Sequence, residues 1–162
     1  MNFQLEALAQ KLGEVAQKAH VMVATAESCT AGGISYTITD IAGSSQWFDR
    51  GFVTYTNASK MDFLGVSAST LEAVGAVSSE CASEMVLGAL AHSNADIAVA
   101  VTGIAGPGGA VPGKPVGTVF LAWGRRGEVP EVVRKEFPGD RQAVRKATIQ
   151  CAIEGLIQRI SQ

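Results

Sequence analysis

Two stretches of the chain join residues that could do chemistry to backbone able to come close to a ligand. The first is Thr25-Ala26-Glu27-Ser28-Cys29-Thr30-Ala31-Gly32-Gly33, where an apolar segment breaks into small and hydroxyl-bearing residues. A serine where a strand turns into a helix would have the helix's unpaired N–H groups beside it, a ready oxyanion hole for attack on a carbonyl. Ser28 and Thr30 can equally be read as N-caps of that helix, a role that needs no reactivity. The second stretch is Val101-Thr102-Gly103-Ile104-Ala105-Gly106-Pro107-Gly108-Gly109, which opens a run from Gly103 to Gly117 holding six glycines and three of the chain's five prolines. Backbone amides there, those of Gly103 and Gly106 among them, could meet an anion with no side chain in the way. An Ω-loop without a ligand is the competing reading. Gly108 to Lys114 satisfies G-x-x-x-x-G-K, but Pro115 stands where Ser or Thr is required and a strand follows instead of a helix, so a P-loop is excluded.

A serine nucleophile needs a base, and neither histidine is placed to be one. His20 precedes the first strand and His92 ends a helix leading into another, so both belong at the edge of the sheet opposite Ser28 and Thr102. That argues against a Ser-His-Asp triad and against a His-rich metal site. Lys60, shortly after the Tyr55-Thr56 strand end, is the best placed alternative. Its amine starts near pKa 10.4 and must be desolvated or crowded by positive charge before it can act as a base near neutrality; otherwise it is a solvated surface lysine. Cys29 adjoins Ser28 but has no histidine to stabilise a thiolate, which makes it a small core residue. Arg141 and Arg145 stand four apart in the first turns of the last helix, where the macrodipole disfavours cations. Either Asp140 compensates locally, or the pair holds an anion such as a phosphate.

The elements that must position these residues follow from periodicity. Phe3 to His20 carries apolar residues at helical spacing, and Val21 to Ala24 reads as a strand. A second helix is expected from Ala31 to about Asp40, ended by Gly43-Ser44-Ser45. Trp47 to Thr56 suits one or two extended segments, and Asn57 to Leu64 and Ala68 to Val74 are short helices separated by Gly65 and Gly75. Ser78 and Ser79 cap a helix reaching His92, with Cys81, Ala82, Met85, Val86, Ala89 and Leu90 on one stripe. Asp96 to Thr102 is a buried strand, Thr118 to Trp123 and Val132 to Phe137 are a hairpin across Gly124 to Gly127, and Asp140 opens a closing helix. Helices alternating with strands predict a three-layer α/β/α domain with a mixed sheet, in which ligands gather outside the carboxyl ends of the strands.

Composition sets the outer limits. The 162 residues are enough for one domain with a sizeable core, and we expect one domain over 1–162. With 47% hydrophobic and 17% charged residues the chain is too apolar for disorder and sparing of charge, which predicts a homodimer or larger assembly. A formal charge of -2 excludes a nucleic-acid-coating surface, so any phosphate recognition is focal. Three scattered cysteines and no signal-peptide pattern point to the cytoplasm, and no apolar run is long enough to span a membrane.

Read in order, Ala26-Glu27-Ser28-Cys29-Thr30, Gly43-Ser44-Ser45, Gly51 through Tyr55 to Asn57 and Lys60, Gly75-Ala76-Val77-Ser78, Thr102-Gly103-Ile104-Ala105-Gly106-Pro107 and Lys114-Pro115-Val116-Gly117-Thr118-Val119 resemble the CinA C-terminal family over nearly the whole chain. The resemblance implies a stand-alone amidase that hydrolyses nicotinamide mononucleotide to nicotinate mononucleotide and ammonia in pyridine nucleotide recycling; no His, Cys or carboxylate cluster in the sequence offers a metal site, so a hydrolase without metal or cofactor is expected. It maps functional roles onto Ser28, Ser45, Tyr55, Lys60, Thr102 and the arginines from Arg141 to Arg145. Lys60 would take the proton of Ser28, with Ser45 as relay or as nucleophile in its place; Tyr55 and Thr102 would position base or substrate, and Arg141 and Arg145 would hold the 5'-phosphate. Thr30, Gly103 and Gly106 join the expected substrate-binding set. Ala31 departs from the glycine usual in the family after Thr30. A non-catalytic module that binds a nucleotide phosphate, or an adapter working through its apolar surface, is the alternative that the same residues leave open.

Overall fold

The computed structural model describes residues 2–162. The chain folds as β-strands and α-helices in the order α1 (Phe3–Ala19), β1 (Val23–Glu27), α2 (Gly33–Thr39), β2 (Phe48–Val53), α3 (Asn57–Leu64), α4 (Ala68–Val74), α5 (Ser79–Ala91), β3 (Ile97–Gly103), β4 (Thr118–Arg125), β5 (Glu131–Glu136) and α6 (Arg141–Ile160). A 3-10 turn at Ser44–Gln46 precedes β2. The strands form one mixed sheet in the order β2-β1-β3-β4-β5, with β2, β1 and β3 parallel and β4 antiparallel to both its neighbours.

Strand alternation explains the layers. On one face Val23, Ile97, Val99, Val101, Leu121 and Trp123 meet Leu12 and Ala16 of α1, Ile34 and Ile38 of α2, and Val144, Ile153 and Leu156 of α6. On the other, Ala24, Ala26, Ala98, Ala100 and Ala122, with Phe120 as the one large buried side chain from the sheet, meet Met85, Val86 and Ala89 of α5. Small residues on that face let α5 lie close to the sheet, and a three-layer α/β/α domain results.

Most predicted elements are present, with two differences that bear on function. The first strand continues to Glu27 rather than stopping at Ala24, every residue of it being buried. Thr25 and Glu27 are polar but hydrogen-bonded, so they fit an interior strand that an apolar criterion cuts short. The second helix starts at Gly33, not Ala31, and its N-cap is Gly32, with no side-chain cap. Ala31 and Gly32 are both left-handed, at φ 47° and 95°, so the chain turns out of helical geometry there before α2 can begin. Neither Ser28 nor Thr30 is therefore the cap of α2.

Elsewhere the capping signals hold: Ser78 accepts from the Cys81 amide and Asp140 from the Ala143 amide. Because β1, β2 and β3 are parallel, residues 28, 54 and 103 leave the sheet at the same edge. The amino end of α6 returns to that edge from β5, while His20 and His92, the C-caps of α1 and α5, lie at the other. No helix of the described residues is long and apolar enough to cross a membrane.

Candidate active site

At the carboxyl edge of the sheet a cleft of about 190 Å³ is lined by Ser28, Cys29, Tyr55, Asn57, Lys60, Ala76, Val77, Thr102, Gly103, Ala105 and Arg141. At its floor the Lys60 Nζ lies 2.8 Å from Ser28 Oγ and donates to the Thr54 carbonyl, also at 2.8 Å. Ser28 is 8% exposed and Lys60 only 2%. The lysine belongs to α3, whose entry is fixed by a capping box between Thr56 and Ser59 directly after β2. Burial holds its pKa below the ordinary lysine value, because the ammonium form is poorly solvated there; the nearby Cys81 and Cys29 act weakly the other way. A buried amine with lowered basicity against a serine hydroxyl is a pairing that can supply a base and a nucleophile for attack on an acyl group.

Cys29, beside Ser28, is pushed up to about 12, chiefly by its own burial, with Glu27 adding to the rise. Its thiol therefore stays protonated, as expected for a core cysteine. Thr102, 1% exposed, donates to the Ala76 carbonyl at 2.9 Å and so ties the Gly75–Ser78 segment to the end of β3 as one wall of the cleft. Tyr55 stands at the mouth, its hydroxyl accepting from Arg141 Nη2 at 2.8 Å, while Arg141 Nη1 donates to the Gly106 carbonyl at 2.8 Å.

Several expected site residues lie elsewhere. Ser45 is exposed on the 3-10 turn before β2, at the amino edge of the sheet. The parallel register Val23↔Phe48 and Glu27↔Val53 puts the length of a five-residue strand, about 13 Å, between that turn and the edge bearing Ser28. Within this chain Ser45 cannot relay a proton to Ser28 or attack in its place. Thr30 is 1% exposed and donates to Glu27 Oε1 at 2.6 Å, so it does not face the cleft. Arg145 is absent from the cleft wall; it donates through Nε to the Cys29 carbonyl at 3.0 Å and through Nη2 to that of Thr30 at 3.3 Å. Gly106 reaches the cleft only through its carbonyl bond to Arg141. The N–H groups that open α2 do not form an oxyanion hole either, since those of Ile34 and Ser35 donate to the Glu27 carboxylate at 2.8 and 2.9 Å.

Two polar residues escaped the sequence analysis. Asn57, on the first turn of α3, lines the cleft. Glu27 is wholly buried one residue before Ser28. A carboxylate at the end of a strand with no other charged residue was the available signal for it, since such a group persists only with partners.

Comparison with known proteins places this architecture. The chain matches the model of the CinA C-terminal domain over residues 5–160. It is 52% identical over 151 residues to the nicotinamide-nucleotide amidohydrolase PncC of Pseudomonas putida, covering 93% of this chain and 94% of that one. The protein of the same name from Escherichia coli K12 is 47% identical over 161 residues, covering 98% and 96%. The crystal structure of the competence/damage inducible protein CihA from Agrobacterium tumefaciens superposes with a TM-score of 0.94 at 46% identity, covering 100% of this chain and 98% of that one. The chain therefore belongs to the CinA C-terminal domain family.

Proposed function

We propose that this protein hydrolyses the carboxamide of nicotinamide mononucleotide, giving nicotinate mononucleotide and ammonia, with Ser28 as nucleophile and Lys60 as general base and acid. The observation that carries this reading is the 2.8 Å contact between two buried groups, the Lys60 amine and the Ser28 hydroxyl, on the floor of a cleft. Relatives at 47–52% identity named for hydrolysis of a nicotinamide nucleotide supply the substrate class.

In the neutral form that burial favours, Lys60 takes the hydroxyl proton as Ser28 Oγ attacks the amide carbon. The tetrahedral intermediate collapses when the Lys60 ammonium returns that proton to the nitrogen and ammonia leaves, with an ester on Ser28 left behind. Lys60 then deprotonates a water that attacks the ester, and gives the proton to Ser28 Oγ as nicotinate departs. The Thr54 carbonyl keeps the amine aimed at Ser28 in each step.

The developing oxyanion needs donors near Ser28. Its own amide is committed to the Val101 carbonyl at 3.1 Å, whereas the amides of Cys29 and Ala105, both on the cleft wall, donate to no carbonyl among the described residues. Those two are the donors we assign. Arg141, fixed at the mouth by Tyr55 and Gly106, has N–H groups left for the 5'-phosphate. Ammonia release from nicotinamide mononucleotide by the purified protein tests the proposal, and no release above a Ser28→Ala control would refute it.

A further inference from the structure

Resting on that reading, we propose that Glu27 and Arg145 are positioning residues that hold the Ser28 loop from its two sides, and that Thr30 works through Glu27 rather than on substrate.

The Glu27 carboxylate is wholly buried and takes part in no salt bridge among the described residues. Four donors satisfy it. Oε1 accepts from Thr30 Oγ1 at 2.6 Å and Ile34 N at 2.8 Å, and Oε2 accepts from Ser35 N at 2.9 Å and Ser35 Oγ at 2.7 Å. A buried carboxylate gives up its hydration and needs donors in its place, so four of them on residues 30 to 35 define one arrangement of the segment that follows Ser28. Thr25 Oγ1, 2.7 Å from Ser35 Oγ, extends the network under β2. Gly51 leaves room for it: a Cβ there would come within 2.5 Å of both hydroxyl oxygens.

The main chain of the same residue serves the base. The Glu27 carbonyl accepts from the Thr54 amide at 2.9 Å, and the Thr54 carbonyl in turn accepts from Lys60 Nζ. Nucleophile and base are thus both referred to Glu27, the first through its side chain and the second through its backbone. Arg145 closes the other side of the loop by donating to the Cys29 and Thr30 carbonyls. It fixes the two peptides that follow the one whose N–H we assign to the oxyanion, and that one is held through its Ser28 carbonyl by the Ala31 amide at 3.0 Å.

The test uses two readouts on the intact protein. One is the rate at which a fluorophosphonate modifies Ser28: the Oγ–P bond forms, fluoride leaves and Lys60 takes the hydroxyl proton, with no dependence on which amide is the substrate. The other is the split between kcat and KM for nicotinamide mononucleotide. Displacement of reacting groups by an ångström can cost on the order of a hundredfold, so Glu27→Gln and Thr30→Val should each slow labelling and kcat by about 10- to 100-fold. KM should stay within about threefold and the acid limb of the pH profile, set by Lys60, should not move. Thr30→Ser, which keeps the hydroxyl, should stay within about threefold of wild type. Arg145→Ala should lower kcat for phosphorylated and unphosphorylated substrates by the same factor. If Glu27→Gln does not fold, the Thr30→Val and Thr30→Ser pair decides. Wild-type labelling and kcat in folded Thr30→Val would overturn the proposal, as would a rise in KM alone, which would return Thr30 to the substrate. Slowed labelling in the variants of a protein that releases no ammonia from the mononucleotide would refute the substrate and leave the positioning role standing.

Discussion

Replacing Arg141 by alanine should reduce the preference for a phosphorylated substrate, and replacing Arg145 should not. Two donors of the Arg141 guanidinium are engaged, one by the Gly106 carbonyl and one by the Tyr55 hydroxyl, each at 2.8 Å. A guanidinium has five N–H groups, so the remainder can meet a phosphate at the cleft mouth without disturbing those bonds. One charge-assisted hydrogen bond contributes about 1.5–3 kcal/mol, which corresponds to about 10- to 150-fold in kcat/KM. Loosening of Tyr55 in the variant affects substrates with and without phosphate alike and cancels in their ratio. Arg145 is bonded to the Cys29 and Thr30 carbonyls and lies off the cleft wall, so its loss falls on both substrates equally. The assay is ammonia release from nicotinamide mononucleotide and from nicotinamide riboside by wild type, Arg141→Ala and Arg145→Ala. The ratio of kcat/KM should fall about 10-fold or more in Arg141→Ala and stay within about twofold in Arg145→Ala. An unchanged ratio in Arg141→Ala, or an equal collapse in Arg145→Ala, would refute the reasoning.

Because burial lowers the Lys60 pKa, kcat/KM should rise with pH through an acid limb below the ordinary lysine value; a limb at 10.5 or above would contradict a desolvated base. The unfolded chain binds that proton more tightly than the native one, so Lys60 costs stability below its lowered pKa and the cost disappears as pH rises toward 10.5. Denaturant unfolding should accordingly show the stability of wild type relative to Lys60→Met increasing across that window, and a flat difference would refute the shift. With Cys29 at about 12 and 5% exposed, iodoacetamide at pH 8 should leave Cys29 unmodified in the folded protein, as peptide mass analysis can check; stoichiometric alkylation there would contradict its burial. Ala31 sits at φ 47°, a conformation costing a non-glycine residue about 1–2 kcal/mol, against about 0.4–1 kcal/mol of extra unfolded-state entropy for glycine. Ala31→Gly should therefore leave stability unchanged or raise it by up to about 1.5 kcal/mol, and a clear loss on chemical denaturation would show that the methyl group packs productively.

That Ser28, Thr102 and Gly103 gather at one cleft was legible in the sequence because each ends or directly follows a strand and parallel strands bring such positions to one edge, and Lys60 joins them from the first turn of α3 just beyond β2. The same rule excluded His20 and His92. Arg145 and Thr30 show where residue type misleads. A cation at a helix start and a hydroxyl in a small-residue loop are both plausible ligand contacts, yet each is engaged by the chain's own backbone or carboxylate, and no local spacing reveals a partner 115 residues away or a turn through Ala31 and Gly32. Ser45 was assigned by likeness of motif. The pairing of β2 with β1 is what removes it, and that is a property of the sheet rather than of the residues around it. Glu27 went unread because its meaning lies in four donors that converge only once α2 has formed.

The central claim, that Ser28 and Lys60 act as one unit, is tested most directly by ammonia release from nicotinamide mononucleotide in Ser28→Ala, Lys60→Ala and the double variant, each shown to be folded. Groups that work together in one step are not additive. Each single variant should lose about a thousandfold or more in kcat, and the double variant should be no more than a few-fold slower than either. Near wild-type turnover in folded Ser28→Ala or Lys60→Ala, or losses that multiply in the double variant, would contradict it.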